Sequence, residues 1–190
     1  MSESLVQRDE TFTKVEAAYR DFYEDLQGDG LLPYRSTQSG MWATSGIREV
    51  YHAFRHFHVH QYNHIADLGS GDGIVVLIGS LFTHATGYET DDWLYKKSIT
   101  LRDSLNLANA RFLQENFLQA DLSVYDLLYV YPDKPFDDLT ERLHATWRGH
   151  LLVYGPHFPP RYFSKIGEYV PATGKFVLYE STESRKTRSA

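Results

Sequence analysis

The chain has 190 residues, 42% hydrophobic and 15% aromatic, with no cysteine and a formal net charge of −6. That length suits one well-buried domain rather than two, and the lack of cysteine excludes disulfides, thiolate nucleophiles and cysteine-ligated metals. The acidic balance argues against broad electrostatic capture of nucleic acid, whose usual mark is a basic stripe.

The start, Met1-Ser2-Glu3-Ser4-Leu5, has neither the basic opening nor the apolar centre of an export signal, and no apolar run approaches the ~20 residues needed to cross a bilayer. A soluble, cytoplasmic protein without membrane contact is the expectation. Between residues 5 and 26, Phe12, Val15, Tyr19, Phe22 and Leu26 recur at spacings of three and four, one stripe of an amphipathic helix that Gly28-Asp29-Gly30 ends. Such a stripe packs on its own domain or pairs with a second copy, so a homodimer through this helix stays open.

Residues 31 to 44 mix Pro, Gly and small hydroxyl residues with aromatics and read as a lid-like loop. Ser45 is a candidate cap for a helix over about 46 to 59, with Ile47, Val50, Tyr51, Phe54 and Phe57 on its buried face. His52, His56, His58, His60 and His64 follow closely, but no acidic residue stands among them and they are not read as a metal site.

From residue 63 onward strand and helix signals alternate, the pattern of a parallel sheet wound on both faces. Strands are expected at about 64 to 68, 85 to 89, 110 to 114, 126 to 131 and 149 to 154. Helices are expected at about 73 to 82, 91 to 104 and 136 to 146. Two further segments, 162 to 170 and 175 to 180, flank Pro171-Ala172-Thr173-Gly174 as an antiparallel hairpin. The expected units are an N-terminal helix and lid-like segment (1–44), a ligand-binding domain (45–182) and a disordered tail (183–190).

The organising stretch is Asp67-Leu68-Gly69-Ser70-Gly71-Asp72-Gly73, an apolar strand that breaks into alternating glycines and then opens a helix. Glycines there let backbone approach a ligand without side chains in the way. A phosphate-cradling loop would need Gly-Lys-Ser or Gly-Lys-Thr after the turn, and a dinucleotide fingerprint would need glycine where Ile74 stands. Glu89 closes the next strand, where one ionised carboxylate can accept from two ribose hydroxyls.

These strings, with Gly87-Tyr88-Glu89 and the terminal hairpin, resemble the class I S-adenosylmethionine (SAM)-dependent methyltransferases. Over about residues 31 to 180 the chain is most similar to the small protein-lysine methyltransferases, including the archaeal broad-specificity and the mitochondrial ATP-synthase c-subunit enzymes. The resemblance implies an α/β fold, a Rossmann-like doubly wound seven-stranded sheet, mostly parallel with an antiparallel terminal hairpin strand, preceded by N-terminal helices. It also implies SAM as cofactor, with Asp67, Gly69, Ser70 and Gly71 at the methionine part, Gly73 opening the helix and Glu89 on the ribose.

Thr44 and Thr90 complete the implied cofactor set, with Asn116 on the adenine edge and Phe117 against its ring, although an amide stands where the family often has an acid. Tyr131, Pro132 and Asp133 occupy the position that receives the nucleophile, with only one of the two usual prolines. Tyr34, Trp42 or Tyr131 could surround an incoming cation. The implied reaction is methyl transfer to a protein lysine ε-amine. RNA or small-molecule acceptors, and a SAM-binding protein without catalysis, are the alternatives.

Overall fold

In the computed structural model, which describes residues 3–37, 40–155 and 157–182, helix α1 (Glu3–Gly28) lays Val15, Tyr19, Phe22 and Leu26 into the core. Its apolar stripe is therefore covered by the chain itself. Residues 183–190, read from sequence as a disordered tail, lie outside the described residues.

The segment expected to be a loop instead contains two three-residue strands, β1 (Tyr34–Ser36) and β2 (Met41–Ala43), paired antiparallel with Arg35 opposite Trp42. Strands this short carry no legible alternation, and tertiary contacts fix them. Arg35 reaches Asp91 at 2.9 Å and lies over the Trp93 ring, while Met41 N–H donates to Asp133.

Helix α2 (Ile47–His56) buries Val50, Tyr51, Ala53 and Phe54. Ser45 does not cap it. Gly46 is the N-cap, without a side-chain bond, because the Ser45 hydroxyl pairs with the Tyr129 hydroxyl at 3.1 Å. The helix also stops earlier than expected, and a short 3-10 turn over Val59–Gln61 leads into the sheet.

The alternating pattern then follows as β3 (His64–Leu68), α3 (Ile74–Gly79), β4 (His84–Tyr88), α4 (Asp92–Leu105), β5 (Ala110–Leu113), β6 (Leu127–Val130), α5 (Asp137–Thr146) and β7 (His150–Tyr154). Strands β8 (Phe163–Tyr169) and β9 (Phe176–Ser181) close the chain. The seven strands are ordered β5-β4-β3-β6-β7-β9-β8, with β9 antiparallel to both neighbours and the rest parallel.

Strand periodicity assigns the two faces. Ile65, Leu127, Tyr129 and Leu152 point to the layer of α1, α2, α3 and α4, whereas Ala66, Leu128, Val130 and Leu151 point to α5, through Leu139 and Leu143. This is the Rossmann-like doubly wound sheet expected from sequence, with its antiparallel hairpin. From β3 the chain builds outward first through β4 and then, on the other side, through β6. The carboxyl ends of β3 and β6 therefore flank the switch point at which ligands bind in such sheets.

Among the described residues no helix is long and apolar enough to cross a membrane.

Candidate active site

Strand β3 ends at Leu68 and the chain turns through Gly69, Gly71 and Gly73 with φ of 88°, 55° and 85°. All three lie in the left-handed region, which costs a residue with a Cβ roughly 1–2 kcal/mol. Two of these glycines are also required sterically. A Cβ on Gly73 would stand 2.6 Å from Ser98 Cβ and 2.7 Å from Phe112 Cζ, and one on Gly71 would stand 2.7 Å from Trp42 Cδ1. Gly69 has nothing within 4 Å, so the turn is open above it.

The amides of this turn are already engaged. Gly69 and Ser70 N–H donate to Tyr88 O at 3.0 and 2.8 Å, Gly71 N–H to Glu89 Oε2 at 2.8 Å, and Gly73 N–H to Ser70 O at 2.8 Å. Ile74 N–H reaches Asp72 Oδ1 at 3.3 Å. The turn is thus held by its neighbours rather than left as an open nest of donors.

Above it lies a cavity of about 850 Å³, bounded by the carboxyl ends of β3, β4 and β6 and covered by Met41, Trp42 and Ala43 of β2. That volume is within the range of small-molecule sites. Of the residues singled out from sequence, Asp67, Gly69, Ser70, Gly71, Glu89, Thr90, Thr44, Asn116, Phe117, Tyr131, Pro132 and Asp133 all line it. Gly73 stands just outside, where it lets α3 pack against Ser98 and Phe112, and Tyr34 does not line the cavity.

Glu89 is fixed by three backbone donors, Gly71 on Oε2 and Thr90 and Asp91 on Oε1, at 2.7 to 2.8 Å. Since a carboxylate offers about four acceptor positions, one remains, on Oε2. Burial raises the Glu89 pKa, and these three donors oppose the rise. Asp67 is pushed well above the usual carboxylate range by burial first, then by the charges of Glu89 and Asp72. Asp72 is raised to about 6 by burial, against which Tyr23 and the Ile74 amide act.

These carboxylates are 4%, 1% and 8% exposed for Asp67, Asp72 and Glu89, and burial is the first cause of the raised pKa of each. All three line the cavity, and a cation bound beside them would favour their ionised forms.

Sequence reasoning missed the support behind Asp72. Tyr19 OH donates to Asp72 O at 2.8 Å, Tyr23 OH donates to Asp72 Oδ2 at 2.6 Å, and the Tyr23 and Thr44 hydroxyls are 2.5 Å apart. The contacts span 53, 49 and 21 positions, and no local pattern carries them. Ser45 and Tyr129 were missed for the same reason.

Beyond the end of β6 Tyr131 is half exposed and packs edge-on to Tyr154, with ring centroids 4.6 Å apart. Asp133 Oδ2 accepts from Met41 N–H at 2.8 Å and so fastens β2 to the end of β6. Asn116 Oδ1 accepts from Leu118 N–H at 2.9 Å and caps a 3-10 turn, while Phe117 is half-buried against the α5-side core. Glu115 and Asp138 add negative charge to this rim, where Lys134 also stands and Asp137 pairs with Arg161 at 3.2 Å.

No protein-family model matches the sequence, and no curated protein sequence does either. Several solved structures share the fold. An RNA methyltransferase from Salinibacter ruber in complex with S-adenosyl-L-homocysteine superposes with a TM-score of 0.63 at 17% identity, over 74% of this chain and 95% of its own. The putative methyltransferase yhhF from Escherichia coli gives 0.55 at 20% identity, over 71% and 83%. The mitomycin 7-O-methyltransferase MmcR gives 0.59 at 11%, over 72% and 54%. At such identities the likeness establishes architecture, and the chain has the Rossmann-like fold of the SAM-dependent methyltransferases.

Proposed function

We propose that the protein is a class I methyltransferase that uses SAM and methylates a cationic amine, a lysine side chain of a protein. The observation that carries this reading is the buried trio Asp67, Asp72 and Glu89 beside the glycine turn, acids with no base among them. SAM bears a sulfonium and an ammonium, and a site that concentrates negative charge in low dielectric favours both. The solved neighbours support the cofactor, since one is described in complex with S-adenosyl-L-homocysteine.

The residues fit the cofactor. Asp67 would hold its ammonium, the remaining Oε2 position of Glu89 a ribose hydroxyl, and Phe117 the flank of its adenine. SAM would supply a methyl group on a sulfonium sulfur, to be taken by a neutral amine as a new N–C bond forms and the C–S bond breaks, with S-adenosylhomocysteine as the leaving group. The chain's own task is alignment and exclusion of water, which can supply several kcal/mol of the barrier. A lysine amine enters from a pKa of about 10.4, and desolvation in the cavity favours loss of its proton.

The acceptor class follows from the rim. Asp133, Asp138 and Glu115 present negative charge to an approaching chain, although Asp137 is paired with Arg161 and Lys134 stands among them, and the balance favours a lysine-bearing segment over a polyphosphate. Nucleic acid is therefore the weaker acceptor, although the Salinibacter neighbour is described as an RNA methyltransferase. A second reading, cofactor binding without transfer, draws on the engagement of Asp133 by Met41 N–H.

The test is transfer of isotopically labelled methyl from SAM into a cell lysate, followed by separate protease and ribonuclease digestion. Label released by protease alone supports the proposal. Label released by ribonuclease alone refutes the acceptor class, and no label from a chain that binds SAM favours the second reading.

A further inference from the structure

Two buried side-chain donors on the cavity wall, the Trp42 indole N–H and the Ser70 hydroxyl, have no partner among the described residues. Trp42, 6% exposed, carries an indole Nε1–H without a hydrogen-bond partner among the described residues. A buried N–H left unpaired carries its full desolvation penalty, so such atoms point to something that binds there. The ring is held by β2 and packs edge-on to Trp93 at 6.1 Å. Its Nε1 lies 2.9 Å from where a Cβ on Gly71 would stand, so the donor faces the glycine turn.

The Gly69, Ser70, Gly71, Gly73 and Ile74 amides, which such a turn could offer to an anion, are spent on Tyr88, Glu89, Ser70 and Asp72. Any anionic group entering this end meets three carboxylates and needs a donor not already in use. Ser70 Oγ is also unpartnered, yet it points toward Gly87, 2.6 Å from that residue's Cβ position, and so faces the sheet. Lys134 stands at the acceptor end, in the segment after β6. That leaves Trp42.

We propose that the Trp42 indole N–H receives the α-carboxylate of the cofactor's amino-acid end, which makes this hairpin residue the determinant of selection for the intact methionyl group over its decarboxylated form. The inference rests on the reading of the cavity as a SAM site. Its logic is charge separation: the ammonium goes to the acidic side at Asp67, and the carboxylate to the unpartnered buried side-chain donor that faces the glycine turn rather than the sheet. Because Trp42 belongs to β2, the same bond would secure β2 over the ligand.

The test compares S-adenosylhomocysteine with its decarboxylated amine by calorimetry, using the full chain. A bond from a buried donor to a charged acceptor corresponds to roughly tenfold to hundredfold in affinity. Wild type is expected to prefer S-adenosylhomocysteine by about that factor, and Trp42→Phe to bind the two alike while keeping wild-type affinity for the amine. A preference fully retained in Trp42→Phe overturns the inference, as does a wild type that binds both alike. A wild type that binds neither ligand overturns the functional reading and this inference with it.

A second measurement stands should Trp42→Phe fail to fold. The chain has three tryptophans, and the Trp147 indole already donates to Tyr125 O at 2.7 Å. With the Trp93 resonance assigned through Trp93→Phe, the Trp42 indole N–H proton should move downfield on addition of S-adenosylhomocysteine and not of the amine. Equal movement with both ligands, or none, overturns the inference.

Discussion

The Tyr23 hydroxyl of α1 donates to Asp72 Oδ2 at 2.6 Å, joining the N-terminal helix to the middle of the glycine turn. The same hydroxyl meets Thr44 at 2.5 Å, and Tyr19 supports the Asp72 carbonyl. Helix α1 is thus part of the cavity's foundation.

Tyr23→Phe leaves Asp72 buried with one donor fewer, and the expected cost is about 1–3 kcal/mol. Because that hydrogen bond lowers the Asp72 pKa, its loss should also raise the carboxyl's titration above its present value of about 6. Urea unfolding measures the first effect. The carboxyl resonance of Asp72, followed by NMR against pH, measures the second.

The pH dependence has a defined sign. Asp72 rises from an ordinary 3.8 to about 6 on folding, so between those limits the folded chain holds more protons than the unfolded one. Its contribution to stability is full below about pH 4 and is lost as pH rises through about 6. Asp67 and Glu89, also raised, act in the same direction. Asp72→Asn should therefore flatten the fall in stability of the ligand-free protein between pH 4 and 6, as read by thermal melts.

Cofactor affinity should run the opposite way. A cation favours the ionised carboxylates, so affinity rises from pH 5 to pH 7 and binding expels protons. Calorimetry in two buffers of different ionisation heat detects that release, and equal apparent enthalpies in the two would contradict it.

The glycines of the turn should separate under substitution. Gly73→Ala combines a left-handed backbone with contacts of 2.6 and 2.7 Å to Ser98 and Phe112. A loss of about 3 kcal/mol or more is expected. Gly69→Ala meets nothing within 4 Å, so only the backbone cost of about 1–2 kcal/mol applies. Gly69→Ala should stay folded yet bind cofactor weakly, and paired melts and titrations test this.

The framework of this site was legible because its signals are local. Alternating glycines after an apolar run fixed the turn, and Glu89 at the next strand end marked the second wall. The strand pair 34–36 and 41–43 was not legible, since three-residue strands show no period and are held by Asp91 and Asp133, far along the chain. Ser45 carried a capping signal that Tyr129 overrode through a contact 84 positions away. Trp42 was noticed only as an aromatic ring, because an unpaired indole is a property of the folded wall and not of any spacing.

Asp133→Asn distinguishes fastening from charge. The amide oxygen can still accept from Met41 N–H, so β2 stays anchored, while the rim loses one negative charge. The expected result is a several-fold higher KM for a lysine peptide with S-adenosylhomocysteine affinity unchanged. Asp133→Ala should weaken both. Loss of cofactor affinity in Asp133→Asn would show that the charge itself supports the cofactor end.

The central claim is that this acidic cavity is a SAM site, and calorimetric titration of SAM into the wild type and Glu89→Ala, each shown to be folded by its melt, tests it most directly. One-to-one binding to the wild type, weakened about tenfold or more in Glu89→Ala, with no heat from NAD, is the expected result. Absence of SAM binding, or binding of NAD in its place, would contradict it.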